Sequence, residues 1–257
     1  MSPEDRECLQ EDLRKLDEWS DKWLLKFNKE KCKVMHIGRR NMGHNYTLKN
    51  TTLSITSQEK DLGILITPNL KPSEQVTRAA ASANSMLGRI KRTFTCLDKE
   101  TLPALYKALV RPRMEYAIQA WCPYLKKDIA KLERVQRRAT KLIPDIAHLS
   151  YQDRLDHLTL TTLEKRRERG DMLEVFKILK GLDKVVSEGN FLQLETSRHT
   201  QRTRGHSLKL IKPQHRTWKR NQFLSSRVVN AWNRLPEKVI SSKNVNAFKH
   251  NYDQHLN

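Results

Sequence analysis

Hydrophobic residues near the start of the chain follow two different periods. Over residues 9–27 they recur every three or four positions, which predicts one apolar stripe on a helix. Ser2 is the predicted N-cap of this helix, Pro3 its first residue, and Phe27 its approximate end. Around Cys32, Val34 and residue 36, apolar and basic positions alternate, which predicts a short strand with one buried face. The first segment is therefore predicted to be a helix that leads into a lysine-rich strand.

Apolar runs between polar turns continue up to residue 70. Residues 46–48 and 53–55 flank a polar stretch at 49–52, which predicts a hairpin, and residues 62–66 predict a third strand. We expect these strands to form one small antiparallel sheet with the first helix lying across it. Residues 1–70 are thus predicted to be the first domain.

The period becomes helical from Pro72 onward. Residues 76–94 predict an amphipathic helix, and Asp98 is the predicted cap of the next one. Pro112 should interrupt that second helix, and a further stripe ends at Trp121. Residues 71–124 are expected to form a helical bundle and residues 125–257 a basic helical region. The predicted fold class is α+β and mostly α-helical.

The helix predicted over residues 128–143 is the most one-sided of the chain. Its buried seam consists of Leu132, Val135, Ala139 and Leu142. The remaining surface carries Lys131, Arg134, Arg137, Arg138 and Lys141. Like charges at these spacings repel each other by a few tenths of a kcal/mol, roughly, and Glu133 is the one acid placed to neutralise them. A solvated face is one reading; contact with nucleic-acid phosphates is the reading we favour.

Two capping boxes begin further helices, at Ser150 and at Thr161. The second helix carries Arg166 and Arg167, and Gly181 is placed to end it. Residues 188–204 are predicted to be a loop, 203–206 a turn, and 208–210 a short strand. Two last helices are predicted, one through residues 223–235 and one through residues 245–256.

One aromatic residue between these segments has basic neighbours. Trp218 lies close in sequence to Lys212 and Arg216. An indole among cations is typical of single-strand grooves, where a base stacks on the ring. A tryptophan packed in the core is an equally good reading of the same pattern.

The composition narrows the range of partners. Lys and Arg number 49 against 29 Asp and Glu, so the formal net charge is +20, and the mean hydropathy is −0.74. This balance favours a polyanionic partner, most simply nucleic acid; a basic protein without a specific ligand is the alternative. No stretch approaches the ~20 apolar residues of a membrane-spanning helix, so no membrane partner is expected. The polar, acidic start lacks the pattern of a signal peptide, which predicts an intracellular protein, nuclear or cytoplasmic and not secreted.

Residues for metal binding and catalysis are sparse. The cysteines at 8, 32, 96 and 122 form no Cys-x-x-Cys pair, so neither a disulfide framework nor a metal site is expected. No Asp-Asp or Asp-x-Asp string lies in an apolar strand, and no glycine-rich phosphate loop occurs. Adjacent acids on the first helix are better explained as solvated positions. The chain by itself is expected to be non-catalytic and to hold no cofactor.

Several short strings nevertheless form an ordered set. They are FNKEKCKV at 27–34, KDLGI at 60–64, LYKALVRP at 105–112, LERVQRRATK at 132–141 and WNRLP at 232–236. In this order and spacing the chain resembles the carboxyl-terminal part of the reverse transcriptase of non-LTR retrotransposons, the jockey-like long interspersed elements. The resemblance implies the end of a palm domain over 1–70, a thumb over 71–124, and RNA and DNA as partners.

The resemblance also implies roles for individual residues. Lys31 corresponds to a lysine proposed to assist the departing pyrophosphate, as a general acid or by its charge. Asp61, Leu62 and Gly63 resemble a hairpin that grips the primer end. The residues expected to contact nucleic acid are Arg78, Arg89, Lys91, Arg92, Arg134, Arg137, Arg138, Lys141, Arg166, Arg167, Lys212, Arg216 and Trp218.

One part of the family pattern is absent from these 257 residues. The paired aspartates of the family's Ala-Asp-Asp turn are expected to precede Met1, so this chain alone is expected to be inactive. Mg²⁺ is expected only as a cofactor of the full-length enzyme. One alternative is a domesticated nucleic-acid-binding or protein-interaction module. Another is a chain that does not fold alone, with Trp19, Trp23 and Ile37 left uncovered by a missing palm.

Overall fold

The computed structural model describes residues 3–38, 41–184, 191–195 and 205–256, and its fold is α+β and mostly helical, as predicted. The chain divides into two compact units, Met1–Gln75 and Val76–Asn257. Residues 76–124 and 125–257, which the sequence analysis separates, therefore lie in one compact unit. The predicted cap at Ser2 lies outside the described residues.

The first unit begins with helix α1 (Pro3–Lys22), which ends earlier than Phe27. Leu24 adopts a left-handed conformation with a φ of 57°. The N–H of Leu25 donates to the carbonyl of Ser20 at 3.0 Å, and that of Leu24 to Asp21 at 3.3 Å. This pair of bonds is a Schellman motif, which ends a helix and usually requires glycine. Leucine at this position carries no sequence signal for a stop, which is why the predicted end was wrong.

The strands of this unit form separate pairs instead of one sheet. β2 (Thr47–Leu48) pairs with β3 (Thr51–Thr52), and β5 (Glu59–Asp61) with β6 (Ile64–Ile66), both antiparallel. β1 (Lys33–Val34) pairs in parallel with β4 (Ser54–Ile55). The prediction of a single antiparallel sheet was therefore wrong in its pairing, since the N–H of Leu53 still bonds the carbonyl of Tyr46 in the hairpin, whereas Ser54 and Ile55 pair with the strand after α1.

Both hairpins turn over two residues with positive φ. These are Lys49 and Asn50, at 45° and 59°, and Leu62 and Gly63, at 44° and 88°. Such turns match the right-handed twist of the strands that they connect. The predicted four-residue turn at 49–52 is thus shorter, and the strand predicted from residue 62 begins at Ile64.

The helix crosses the first hairpin, as predicted. The Gln10 amide bonds both the N–H and the carbonyl of Thr47 at 3.0 Å, and Asp17 accepts from the N–H of Lys49 at 2.6 Å. Tyr46, Leu48 and Leu53 form the small core. Large apolar side chains outside this core remain exposed: Trp19 (46%), Trp23 (61%) and Ile37 (49%).

The second unit begins on helix α2 (Ser73–Thr93), whose predicted inner face is confirmed. The side chains of Val76, Ala79, Ala80, Ala83, Leu87 and Ile90 are all buried. Asp98 accepts hydrogen bonds from the N–H groups of Glu100 and Thr101, at 3.0 and 2.6 Å, before α3 (Thr101–Leu105).

The predicted interruption at Pro112 takes the form of a π turn. This turn covers Tyr106–Val110, after which the N–H of Arg111 donates to the carbonyl of Tyr106 at 2.9 Å. Pro112 has no N–H and its ring clashes with a carbonyl four residues back, so a widened turn relieves both problems. α4 (Pro112–Glu115) and α5 (Ile118–Trp121) follow, separated by the left-handed Ala117, so the predicted stripe up to Trp121 is not one helix.

Three longer segments follow: α6 (Lys126–Thr140), α7 (Tyr151–His157) and α8 (Leu163–Leu179), with a 3-10 turn at Pro144–Ile146. Ser150 caps α7, as predicted, by accepting from the N–H of Asp153. The cap of α8 is Thr162, one residue later than predicted, and Gly181 ends that helix with a φ of 69°.

Short helices complete the unit. They are α9 (Leu224–Arg227), α10 (Val229–Asn233), α11 (Glu237–Ile240) and α12 (Val245–Leu256), so the helix predicted over 223–235 is divided in two. Phe176 stacks on Phe248 with ring centroids 4.4 Å apart, next to the fully buried Trp232. The predicted strand at 208–210 makes only an isolated bridge between Leu194 and Leu210.

Parts of two predictions lie outside the described residues. The predicted loop at 188–204 is described only over 191–195, and the predicted turn at 203–206 only from residue 205. Across the described ranges, no helix is both long enough and apolar enough to cross a membrane.

Candidate nucleic-acid interface

Helix α6 separates its apolar and basic residues as the sequence predicts. Leu132, Val135 and Ala139 are at most 2% exposed, while Leu142, just beyond the helix, is half-buried. The exposed cations are Arg134, Arg137 and Arg138 on the helix and Lys141 directly after it. We refer to these four residues as the α6 basic face. Lys131, the fifth predicted cation, is half-buried.

The α6 basic face is not neutralised from within the described part of the chain. No carboxylate of residues 3–38, 41–184, 191–195 or 205–256 forms an ion pair with these four side chains. Neighbouring like charges on a helix repel each other. Because the α6 basic face has no carboxylate partner in the described residues, its four positive charges can interact with an external anion.

Glu133 does not neutralise this face, because it points into the core. Its carboxylate accepts hydrogen bonds from the Tyr151 hydroxyl and, at 3.1 Å, from the N–H of Leu163. Burial and the hydrogen bond to Glu133 raise the pKa of the Tyr151 hydroxyl well above its ordinary value. The hydroxyl thus stays protonated and donates. The one acid that could compensate the cations instead holds α6 to α7 and α8.

Helices α2 and α6 lie side by side. Lys131 Nζ donates to Thr77 Oγ1 at 2.8 Å, and Arg138 Nη1 donates to Asn84 Oδ1 at 3.5 Å. Both bonds join residues 54 positions apart, so the two helices run in the same direction. The predicted cations of α2 are exposed as well: Arg78, Arg89, Lys91 and Arg92. The structure therefore places the cations predicted on these segments on neighbouring helices.

Comparisons with protein-family models, with curated proteins and with solved structures found no match. The candidate interface is therefore defined by geometry and charge.

Two cations of α8 that are predicted to contact nucleic acid lie partly or fully inside the protein: Arg166 is half-buried and Arg167 is buried. Arg166 forms a two-point ion pair with Glu115, with Nε–Oε1 at 2.6 Å and Nη2–Oε2 at 3.0 Å. Arg167 is only 6% exposed. We leave them out of the interface.

Trp218 is not a core residue. Its side chain is 58% exposed and makes an edge contact with Tyr124, with ring centroids 4.8 Å apart. Lys212 and Arg216 are exposed too. Since Tyr124 shortly precedes α6, the largely exposed indole lies near the amino-terminal end of that helix.

The predicted residues of the first unit lie near its strands. Lys31 is exposed immediately before β1, and Asp61, Leu62 and Gly63 form the tip of the second hairpin, where Leu62 is 83% exposed. Lys33 Nζ lies 3.3 Å from Glu59 Oε2, an ion pair that connects β1 to β5. The strand after Lys31 and the hairpin that ends at Leu62 and Gly63 are therefore adjacent.

The sequence analysis missed one functional candidate, Arg154. This residue on α7 is 3% exposed, although arginine is rarely buried. A signal was present: Tyr151, Leu155 and Leu158 give an apolar stripe on which position 154 also falls.

Groups of metal-binding side chains and the state of the cysteines can be described directly. No three of their His, Cys, Asp or Glu side chains form a group that could hold a metal ion. The four cysteines are free.

Proposed function

We propose that the second unit binds the phosphate backbone of RNA or DNA through the α6 basic face and the exposed cations of α2. The observation that carries this proposal is the group of four exposed cations whose nearest helix acid, Glu133, is turned into the core. An approaching phosphate backbone relieves the repulsion among them and releases condensed counterions, which favours binding. Trp218 adds a stacking platform for an unpaired base.

We also propose that this chain is the carboxyl-terminal part of a non-LTR retrotransposon reverse transcriptase, acting inside the cell. Support comes from the ordered strings FNKEKCKV, KDLGI, LYKALVRP, LERVQRRATK and WNRLP. The exposed tip formed by Leu62 and Gly63 suits a hairpin that holds a primer end, and the exposed Lys31 suits a lysine beside a phosphate leaving group. Phosphate contacts by the second unit suit a thumb and the region behind it.

The salt dependence of binding tests the interface. A variant with Arg134→Gln, Arg137→Gln, Arg138→Gln and Lys141→Gln should bind a short duplex without terminal phosphates more weakly. The slope of log K against log salt between about 50 and 200 mM should become shallower by about 0.9 for each phosphate that the variant no longer binds. Fluorescence anisotropy with a labelled duplex measures both quantities.

A matched control removes four charges elsewhere on the second unit. Lys165, Arg234, Lys238 and Lys243 are all exposed, and replacing each by Gln gives the same net charge. This control should retain most of the wild-type slope. An equal decrease of the slope in the two variants would show that only net charge matters and would contradict the proposed interface.

A further inference from the structure

A cavity of about 590 Å³, open to solvent, lies at the carboxyl-terminal end of α6, where the chain turns into α7. Four cationic side chains line it: Arg137, Arg138, Lys141 and Arg154. No aspartate or glutamate is among its lining residues. A cavity of this size, lined by several cations and no acid, is suited to an anion of high charge.

Arg154 gives the cavity a buried charge. Its Nε donates to Thr140 Oγ1 at 3.0 Å and its Nη1 to the carbonyl of Leu149 at 2.5 Å. Both acceptors are neutral, and no carboxylate of the described residues pairs with this guanidinium. A buried charge without a counter-ion is unfavourable, so an anion in the cavity would compensate it.

The ring of Tyr151 positions the cations of the cavity. Arg137 lies over this ring at 4.0 Å from its centroid, and Arg154 lies at 5.7 Å. The ring itself is anchored, because its hydroxyl donates to Glu133. Guanidinium groups held on an aromatic face lose less freedom when they bind a planar or tetrahedral anion.

We propose that this cavity binds the terminal phosphate monoester of a nucleic-acid strand. A monoester carries about −1.5 to −2 charges near pH 7, against one for an internal diester. It also has three oxygens that accept hydrogen bonds, so several of the cations that line the cavity can contact it at once. The volume lies within the ~300–1,000 Å³ of small-ligand sites, which leaves room for the last nucleotide.

This inference rests on the proposed nucleic-acid binding for the carrier of the phosphate, while the anion site rests on Arg154 and its neighbours. Arg154 also ties the end of α6 to α7 through Thr140. A purely structural role would lower stability when Arg154 is replaced and leave any preference for a terminal phosphate unchanged.

Oligonucleotides that differ only at their ends test the proposal. One single-stranded sequence is prepared with a 5′-phosphate, with a 3′-phosphate and with hydroxyls at both ends, and its affinity for the full chain is measured by anisotropy. We expect one of the phosphorylated forms to bind about tenfold more tightly than the hydroxyl form, the ratio given by one added charge-assisted hydrogen bond. Which form gains identifies the end that enters the cavity.

Substitutions assign the gain to the cavity. Arg138→Gln and Lys141→Gln change exposed residues and should reduce the tenfold ratio to near one, as should Arg154→Gln if its thermal melt stays cooperative. Lys127→Gln is the matched control, since it removes one exposed charge from the other end of α6, about 20 Å away at 1.5 Å per residue. It should weaken both oligonucleotides alike and leave the ratio unchanged.

The outcomes separate this inference from the proposed function. Equal wild-type affinity for phosphorylated and hydroxyl ends, with steep salt dependence retained, would overturn the cavity assignment and leave backbone binding intact. If no oligonucleotide binds while inorganic phosphate still raises the melting temperature, the nucleic-acid assignment falls together with the proposed function. A ratio that persists in Arg138→Gln and Lys141→Gln would place the terminal phosphate elsewhere and overturn the proposal.

Discussion

Glu133 and Arg154 lie on neighbouring helices and carry opposite charges, yet each is buried with its own partners. Glu133 accepts from Tyr151 and from the backbone of Leu163, and Arg154 donates to Thr140 and to the carbonyl of Leu149. The surface of α6 is therefore positively charged, because the carboxylate of Glu133 is buried and the cations of the α6 basic face are exposed.

The cysteines provide a residue-scale prediction that depends on pH. Burial raises the pKa of the Cys122 thiol, so less of it is thiolate at any given pH, whereas Cys8 and Cys96 are exposed. Because the thiolate is the reactive form, iodoacetamide should modify Cys122 severalfold more slowly than Cys96 in the folded protein near pH 8. Peptide mass spectrometry over time measures the rates.

Unfolding provides the control for this comparison. In strong denaturant the thiols lose their different surroundings and should react at similar rates. Modification of Cys122 as fast as Cys96 in the native protein would show that the thiol is not protected by burial.

At the scale of elements, α6 has two different sides. Its apolar seam lies in the core and its basic face is exposed, so stability and the proposed binding depend on different side chains. The same separation does not hold for α8, where Arg166 pairs with Glu115 and Arg167 is buried. The two helices differ because the α6 basic face is exposed and has no carboxylate partner in the described residues, whereas Arg166 and Arg167 are ion-paired or buried.

Substitutions on the two sides of α6 should therefore differ sharply. Leu132 is fully buried, and Leu132→Ala should lower the free energy of unfolding by about 2–5 kcal/mol, because it removes buried apolar surface and leaves a cavity. Arg134 is exposed, and Arg134→Gln should change the free energy of unfolding by no more than about 0.5 kcal/mol.

Urea unfolding followed by circular dichroism measures both values. The m-value should stay near that of the wild type in both variants, because neither substitution changes the surface exposed on unfolding by much. A large decrease of stability in Arg134→Gln would mean that this side chain has a structural role. Arg134 would then not belong to a basic face that is free to bind an anion.

At the scale of the whole molecule, a net charge of +20 is spread over two compact units. The first unit carries Lys31 and the hairpin tip at Leu62, and the second carries the α6 basic face. The 257 residues contain no Ala-Asp-Asp string, which the proposed relationship to reverse transcriptases would require for catalysis. We therefore expect the chain to bind nucleic acid without catalysing nucleotide transfer.

The purified chain should bind a DNA primer annealed to an RNA template without extending it. Nucleotide transfer in polymerases needs carboxylates that hold two metal ions, and no three His, Cys, Asp or Glu side chains of the described residues form a group that could hold one. Incubation with deoxynucleotides and either Mg²⁺ or Mn²⁺, followed by a denaturing gel, measures extension, and an active reverse transcriptase serves as the positive control. Extended primer would show that the chain holds a polymerase site of its own.

Local features of the fold could be predicted from the sequence, since they depend on neighbouring residues. The inner face of α2, the seam of α6, the cap at Ser150 and the end at Gly181 all follow from period and capping rules. The end of α1 could not be predicted, because Leu24 adopts a conformation typical of glycine. The parallel pairing of β1 with β4 could not be predicted either, because it joins residues 21 positions apart.

The sequence by itself determined the fold class, the strong positive charge and the amphipathic character of α6, because periodicity and composition need no knowledge of distant contacts. Only the tertiary structure decided which charged residues are free. Arg166 meets Glu115 across 51 positions, and Glu133 meets Leu163 across 30. A charged side chain that is bonded to a distant part of the fold is less available to an external ligand. The α6 basic face and the cavity beside Arg154 remain because no distant carboxylate of the described chain reaches them.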